Sequence, residues 1–354
     1  MMLTDPTAAP AYGDGWLSRA LRTRLFDPRD EVFARLSLSM VATMTSAMVA
    51  LAYVLTQTRA PAAVAMAAYL TLWGWLAPPV ILMLHNTMHR RFIRSPRAAD
   101  LAHPFVMSFF FGIPTGYREH HLGMHHAEDN QPDDLSSTVR YRRDSFASFL
   151  VYFLRFFLLI IVELPLYLLR RRRRAMAWRA LVGELAHLAV MTAACAWDVR
   201  FGLTAFVVPF VVTRFMMMAG NWGQHAFINT ERENDGLSNS ITCINSPYNR
   251  RCFNDGYHIG HHLKASRHWS ELPGDFIAHR DQYARAGALV FEGLDFFAVS
   301  LLLWLGRWQT LARHVVSLDG APRPVEEVIE LLKARVKPVR LGSGEGRPVR
   351  DALL

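Results

Sequence analysis

Nine of the fifteen histidines in this 354-residue chain fall into four short stretches, and histidine is the commonest metal-ligating side chain. His85 and His89 stand in HNTMH, and His121, His125 and His126 in HLGMHH. Asn221 and His225 stand in NWGQH, and His258, His261 and His262 in HIGHH. On an α-helix, residues four apart share a face, so His85 with His89, and His121 with His125, can direct two imidazoles at one ion. Asn221 and His225 have the same spacing. HIGHH offers an i,i+3 pair, His258 and His261, and an adjacent His262 turned by about 100°, enough to address a second ion. His120 is the ambiguous member: the HxxxHH spacing favours His121, while a count from His120 stays open.

A single HxxxH arises often by chance, but several paired motifs at the ends of apolar segments do not. Nine histidines exceed what one ion uses and suit two ions. Imidazole binds zinc, copper, iron and nickel alike, so ligand type does not choose among them. A structural zinc site would need only four ligands. The three cysteines, Cys195, Cys243 and Cys252, form no CxxC pair, which argues against a disulfide framework, a cysteine zinc site or an iron–sulfur cluster. Carboxylates near the motifs are Glu119, Glu128, Asp129, Asp133, Asp134 and Asp255. A metal-bound imidazole usually donates its other N–H to such a group, and Asp255, three residues before His258, is the expected partner, with His120 a lesser candidate behind the ligands. His103, His187, His279 and His314 lie outside the motifs and are read as structural; His268 is left open.

The elements that hold these motifs must be mostly apolar. The chain is 51% hydrophobic yet carries a net charge of +9, the profile of an integral membrane protein with arginine-rich flanks. The arginines flank apolar segments instead of forming a basic domain, so no nucleic-acid partner is expected. Residues 36–57 carry no charge, and 61–84 are interrupted only by Pro78 and Pro79; each is long enough to cross about 30 Å of hydrocarbon, and together they should form a hairpin. Arginines precede the first span and follow the second, placing both flanks in the cytosol. Residues 101–114 are too short to span and read as interfacial. Three more apolar stretches follow: 146–169, 179–197 and 199–219. Arg155, Glu163 and Pro165 place the first of these in the interface, leaving the other two as a second hairpin and keeping Arg170–Arg174 cytosolic. No cleavable signal peptide is evident in the polar first 33 residues. The expected organisation is therefore a cytosolic segment 1–33, an integral-membrane unit 34–314 with four spans, and a loosely ordered cytosolic tail 315–354. Residues 286–305 are read as one amphipathic or core helix. Residues 105–111 and Met216–Met218 are candidate lining for an apolar tunnel, with ordinary packing the simpler reading.

In order along the chain, HNTMH, HLGMHH, NWGQH and HIGHH resemble the histidine boxes of membrane fatty acid desaturases and their hydroxylase relatives, over roughly residues 35–275. The resemblance implies an all-α integral membrane protein, two hairpins of transmembrane helices with interfacial helices and a cytosolic helical cap. It implies two iron ions as cofactor, with His85, His89, His121, His125, His126, His225, His258, His261 and His262 as ligands and Asn221 holding a water. It further implies an oxygen-dependent oxidoreductase acting on a lipid or acyl chain, with O2 as co-substrate and the site facing the cytosol. Desaturation and hydroxylation both fit. Electrons would come from a separate ferredoxin, rubredoxin or cytochrome, for which Arg90, Arg91, Arg140, Arg142, Arg143, Arg250 and Arg251 are a candidate docking face. A non-enzymatic metal-binding membrane protein is the reading from another class. It predicts ionisable residues inside the first two spans, and none is there.

Overall fold

The computed structural model describes residues 2–229, 236–321 and 323–339. Contacts divide the chain into two compact units: a first comprising Met1–Ala8, His120–Leu164 and Met216–Leu354, and a second comprising Ala9–Glu119 and Pro165–Phe215.

The second unit is built from long apolar helices. Glu31–Gln57 and Ala62–His89 pack against each other as a hairpin, as expected. Pro78 and Pro79 stay inside the second helix, where each removes a backbone donor, a feature far better tolerated in membrane helices than in soluble ones. The Arg97–Phe111 helix ends at Gly112, whose φ of 68° is left-handed. A side chain there would also strike the backbone of Pro209, so only glycine fits. Met107 and Phe111 are buried and Phe105 and Val106 are on the surface, which is ordinary packing of a helix with one inward face.

Arg174–Trp197 leads into a helical stretch from Val199 to Gln224 that contains one π-turn, Leu203–Val207. Within this unit Arg214 and Glu184 form a buried ion pair at 2.7 Å. Glu184 Oε1 also accepts the Thr115 N–H at 2.7 Å, and the Arg214 guanidinium lies 3.6 Å over the Phe210 ring. The carboxylate and guanidinium are thus largely matched inside apolar surroundings, the condition under which a buried pair is tolerated.

By length and composition, five helices could cross a membrane: 28–57, 62–89, 146–170, 174–197 and 199–224. Four contain the expected spans. The fifth, Phe146–Arg170, is the stretch expected in the interface. The charges that argued against its crossing, Arg155 and Glu163, pair with each other at 3.1 Å, and Pro165 does not end the helix. Its outer face remains apolar, with Val151, Leu158 and Val162 more than half exposed, a pattern that water would not stabilise and lipid would.

In the first unit, a parallel pair of three-residue strands, Thr242–Ile244 with Val290–Glu292, sits beside the Phe296–Trp304 helix. The stretch 286–305 is therefore not one helix: a strand precedes the helix, and Asp295 caps the latter by accepting the Ala298 N–H at 2.9 Å. Phe227, Ile241, Cys243, Phe291 and Phe296 share a core with Val328 and Leu332. Those last two belong to the Val325–Arg335 helix, so the tail from 315 is not loose throughout. Its charge and proline content concealed a buried stripe at Val328, Leu332 and Val336. Residues 340–354 of that tail lie outside the described residues.

Arg143 is a second correction. Instead of facing an electron donor it is fully buried, donating from Nε to the Ala226 carbonyl at 2.9 Å and from Nη2 to the Arg335 and Lys337 carbonyls at 2.9 and 2.6 Å. One guanidinium thereby ties the chain after NWGQH to the end of the terminal helix, which an arginine's fork of donors can do. In the second unit Arg90, another arginine of that candidate face, is held by Asp30 and Asp27.

Candidate metal centre

The second histidine motif begins as the helix Tyr117–His120, passes through a π-turn at His121–His125 and continues as His126–Glu128. In the π-turn the His126 N–H bonds to the His121 carbonyl, an i→i+5 closure. This places His126, not His125, over His121. The Nε2 atoms of His121 and His126 stand 3.1 Å apart. His261 joins them, and the three offer ligand atoms within 4.8 Å of one another. The expected pairing of His121 with His125 rested on α-helical spacing and is replaced by the π-turn pairing.

His125 instead faces His225, His258 and His262, again with ligand atoms within 4.8 Å. In HIGHH the pair sharing a cluster is His258 with His262, one α-turn apart, their Nε2 atoms 3.0 Å apart. His261 turns to the other set. The expectation of His258 with His261 thus inverts, and the adjacent histidines His261 and His262 fall in different clusters. The sets adjoin: the His126 and His262 rings stack at 4.6 Å.

His225 follows the end of the Val208–Gln224 helix, and its Nδ1 donates to the Asn239 carbonyl at 2.7 Å. Gly223 lets this segment approach, because a side chain there would strike the Phe296 carbonyl. His125 Nδ1 donates to Asp134 Oδ2 at 2.8 Å, and His262 Nδ1 lies 3.3 Å from Asp129 Oδ1. With the Nδ1 protons directed outward, the Nε2 lone pairs point inward. His225 Nε2 is 3.4 Å from that of His258. Burial, with His125 and His262 adding to it, pushes His225 down to about 3, and burial with its histidine neighbours pushes His258 down as well. Neutral imidazoles whose lone pairs converge repel unless a cation lies between them. This donor set fits a metal ion.

Asp134 is the carboxylate that the spacing did not single out. It is 2% exposed, and it also accepts the Ser136 N–H and hydroxyl at 2.8 and 2.7 Å. Burial opposes its ionisation, but His125 and His120 hold it well below the usual carboxylate range. Asp129 and Asn130 take left-handed backbone after Glu128, and Asn130 Oδ1 accepts the Thr138 N–H at 2.8 Å, folding 130–138 back under His125. Proximity in sequence was the only signal, shared with Asp133 and Glu128.

Asp255, the expected partner, accepts the Tyr248 hydroxyl at 2.9 Å, while His258 Nδ1 has no hydrogen-bond partner among the described residues. His120 is outside both clusters; its Nε2 is 3.7 Å from Asp134, behind His125. Of the two adjacent imidazoles it is His121 that enters a cluster. Asn221 Nδ2 donates to the Ser136 carbonyl at 2.9 Å and the Tyr152 hydroxyl at 2.7 Å, joining the network behind Asp134. In the second unit His85 and His89 sit edge to face at 5.3 Å, near the end of their helix.

Apolar helices of membrane length and two converging sets of imidazoles define the class: a helical integral membrane protein with histidine clusters suited to metal. The model for the fatty acid desaturase family matches residues 58–294, and the chain belongs to that family, which makes it an oxidoreductase. A search of curated proteins returns no match.

Proposed function

We propose that this protein is an oxygen-dependent desaturase of acyl chains that uses two histidine-bound irons. The observation that carries this reading is the pair of adjoining all-imidazole clusters with inward-facing Nε2 atoms. His125, His225, His258 and His262 would hold one iron, and His121, His126 and His261 would contribute to the other. His85 and His89 are proposed as further ligands on the spacing of their motif and its family resemblance, and Asn221 as a residue that orders water near the metal.

Two irons, when bound, would supply the activation of O2 and removal of hydrogen from an unactivated C–H bond. In desaturation two hydrogens leave adjacent carbons, and O2 with two electrons and two protons becomes two waters. The chain's own residues orient imidazoles: Asp134 and the Asn239 carbonyl fix the tautomers of His125 and His225. A hydroxylase on the same scaffold is the alternative, in which one oxygen atom enters the chain and one water leaves.

Electrons come in this reading from a separate ferredoxin, rubredoxin or cytochrome. The surface arginines Arg140, Arg142, Arg250 and Arg251 would steer an acidic donor. The site is proposed to face the cytosol, since arginines flank the first two apolar helices on that side. His126 and His261 rings are 5.1 Å apart, so the chain crosses the membrane an even number of times between them. We propose that two of the three candidate helices in that interval cross and that the 146–170 helix, which carries Pro165 and the Arg155–Glu163 pair, lies in the interface.

The test is metal analysis of purified protein joined to lipid profiling of an expressing host. About two irons per chain and a product lighter by two hydrogens support the reading. A product heavier by one oxygen selects the hydroxylase. Stoichiometric zinc under iron-replete growth sinks both.

A further inference from the structure

Residues 2–6 lie across the loop that leads into HIGHH. Asp5 is 5% exposed, and its Oδ2 accepts the Tyr257 hydroxyl and the Asn245 N–H, each at 2.7 Å. The Pro6 carbonyl accepts Asn254 Nδ2 at 2.7 Å, and the Thr4 N–H donates to Asn245 Oδ1 at 2.8 Å. Leu3 packs on the cluster that contains Tyr257 and Ile259. The partners in these hydrogen bonds are 240 or more residues apart in sequence, so local chain geometry does not account for them.

Their targets are the residues that need restraint. Asn245 and Asn254 hold positive φ, both 55°, a conformation that L side chains adopt at a free-energy cost and keep only when neighbours fix it. Tyr257 immediately precedes His258, and its own hydroxyl has the buried Asp5 carboxylate as acceptor. The direction from which His258 enters its cluster is set by this loop, and five of the strap's hydrogen bonds end on Asn245 or Asn254.

We propose that residues 2–6 form a strap in which Asp5, through Tyr257, is a positioning residue for His258. This rests on the reading that His258 binds metal. The strap ties the fourth histidine motif, HIGHH, to a segment at the far end of the sequence, so that the loop and the metal set are ordered together.

The test uses the full chain in nanodiscs, with Asp5→Ala, Asp5→Asn and Tyr257→Phe variants. Amide exchange over 254–262 in metal-free protein reads the strap, and cobalt(II) titration reads the cluster. Asp5→Ala should accelerate that exchange and raise the cobalt Kd about tenfold, the lower end of what losing a group behind a ligand does. Asp5→Asn keeps an acceptor oxygen and should restore both values towards wild type, which a general folding defect would not. Tyr257→Phe, which removes one hydroxyl, guards against outright misfolding in Asp5→Ala and should reproduce part of the loss. Wild-type exchange or wild-type cobalt affinity in Asp5→Ala overturns the proposal. If the wild-type chain takes up no stoichiometric metal, the metal reading falls, and the exchange result alone decides the strap.

Discussion

Replacing Asp134 separates support of a ligand from general stability. The carboxylate is buried and accepts His125 Nδ1 at 2.8 Å together with the Ser136 N–H and hydroxyl. Asp134→Asn keeps the shape and one acceptor oxygen but removes the charge. A hydrogen bond to a charged group contributes about 1.5–3 kcal/mol and a neutral one about 0.5–1.5 kcal/mol, so the His125 contact loses about 1 kcal/mol or slightly more. At about 1.4 kcal/mol per decade, that is roughly a five- to tenfold weaker metal site. Asp134→Ala removes the acceptor and frees the ring, and should weaken binding about 100-fold, the upper range for a lost outer partner. It also strands the Ser136 donors, at about 1–3 kcal/mol each, and should lower the melting temperature of the metal-free protein. The assay is competition for cobalt(II) or iron(II) against a chelator of known affinity, with a thermal melt of each metal-free variant. Asp255→Asn is the control and should leave affinity within about threefold, because Asp255 accepts from Tyr248 and His258 Nδ1 has no hydrogen-bond partner among the described residues. Wild-type affinity in Asp134→Ala, or equal losses in both aspartate variants, would refute the assignment of Asp134.

Three other outcomes follow from the geometry. His225→Ala should lower iron content by about one ion per chain while leaving the His121, His126 and His261 set able to bind; loss of both ions with a normal melt contradicts two separable clusters. Arg143→Met leaves the Ala226 and Lys337 carbonyls without their donor and the Arg335 carbonyl with the Ile228 N–H alone, and should destabilise the first unit by about 3–5 kcal/mol, seen as early proteolysis after Arg335; unchanged proteolysis removes the clamp. Arg214→Met strands Glu184 in an apolar helix pair and should destabilise by about 3–5 kcal/mol, much of it recovered in the double variant with Glu184→Gln; additive losses in a thermal-denaturation cycle argue against a coupled pair.

The histidines that cluster were legible because metal chemistry demands imidazoles at helical spacings and because apolar runs announce the helices that carry them. The sorting of ligands between clusters was not, because it depends on one extra residue in a turn. α-Helical spacing pairs His121 with His125, and nothing in HHLGMHH marks the π-closure from His126 to His121. The supporting carboxylates were equally hidden. Asp134 and Asp133 are neighbours of the same type, and only the fold-back closed by Asn130 and Thr138 buries Asp134 against His125. Arg143 read as a surface charge for the same reason: the carbonyls it satisfies come from residues 83 and about 190 positions away. The strap at Asp5 is longer in range still. The terminal helix was masked by its charged residues, since a stripe of Val328, Leu332 and Val336 is narrow.

The two HH pairs have a common logic. Adjacent residues on a helix diverge by about 100°, so an HH pair faces two directions and can serve two ions but never one. His125 and His126 divide between the clusters, and so do His262 and His261. The pairs are arranged so that each cluster takes one histidine from each: His125 with His262, and His126 with His261. Each cluster then gains a third member from a turn away, His258 through an ordinary α-turn and His121 through the wider π-turn. The π-turn is what gives His126 a partner on its own face. Were it α-helical, His121 would align with His125, crowding one set and depleting the other. Deleting Leu122 or Gly123 brings His121 and His126 to four-residue spacing, the α-helical equivalent of the π-closure, and should therefore keep cobalt(II) binding at their cluster; loss of that binding in a folded deletion variant would show that the wider turn is needed for more than this pairing.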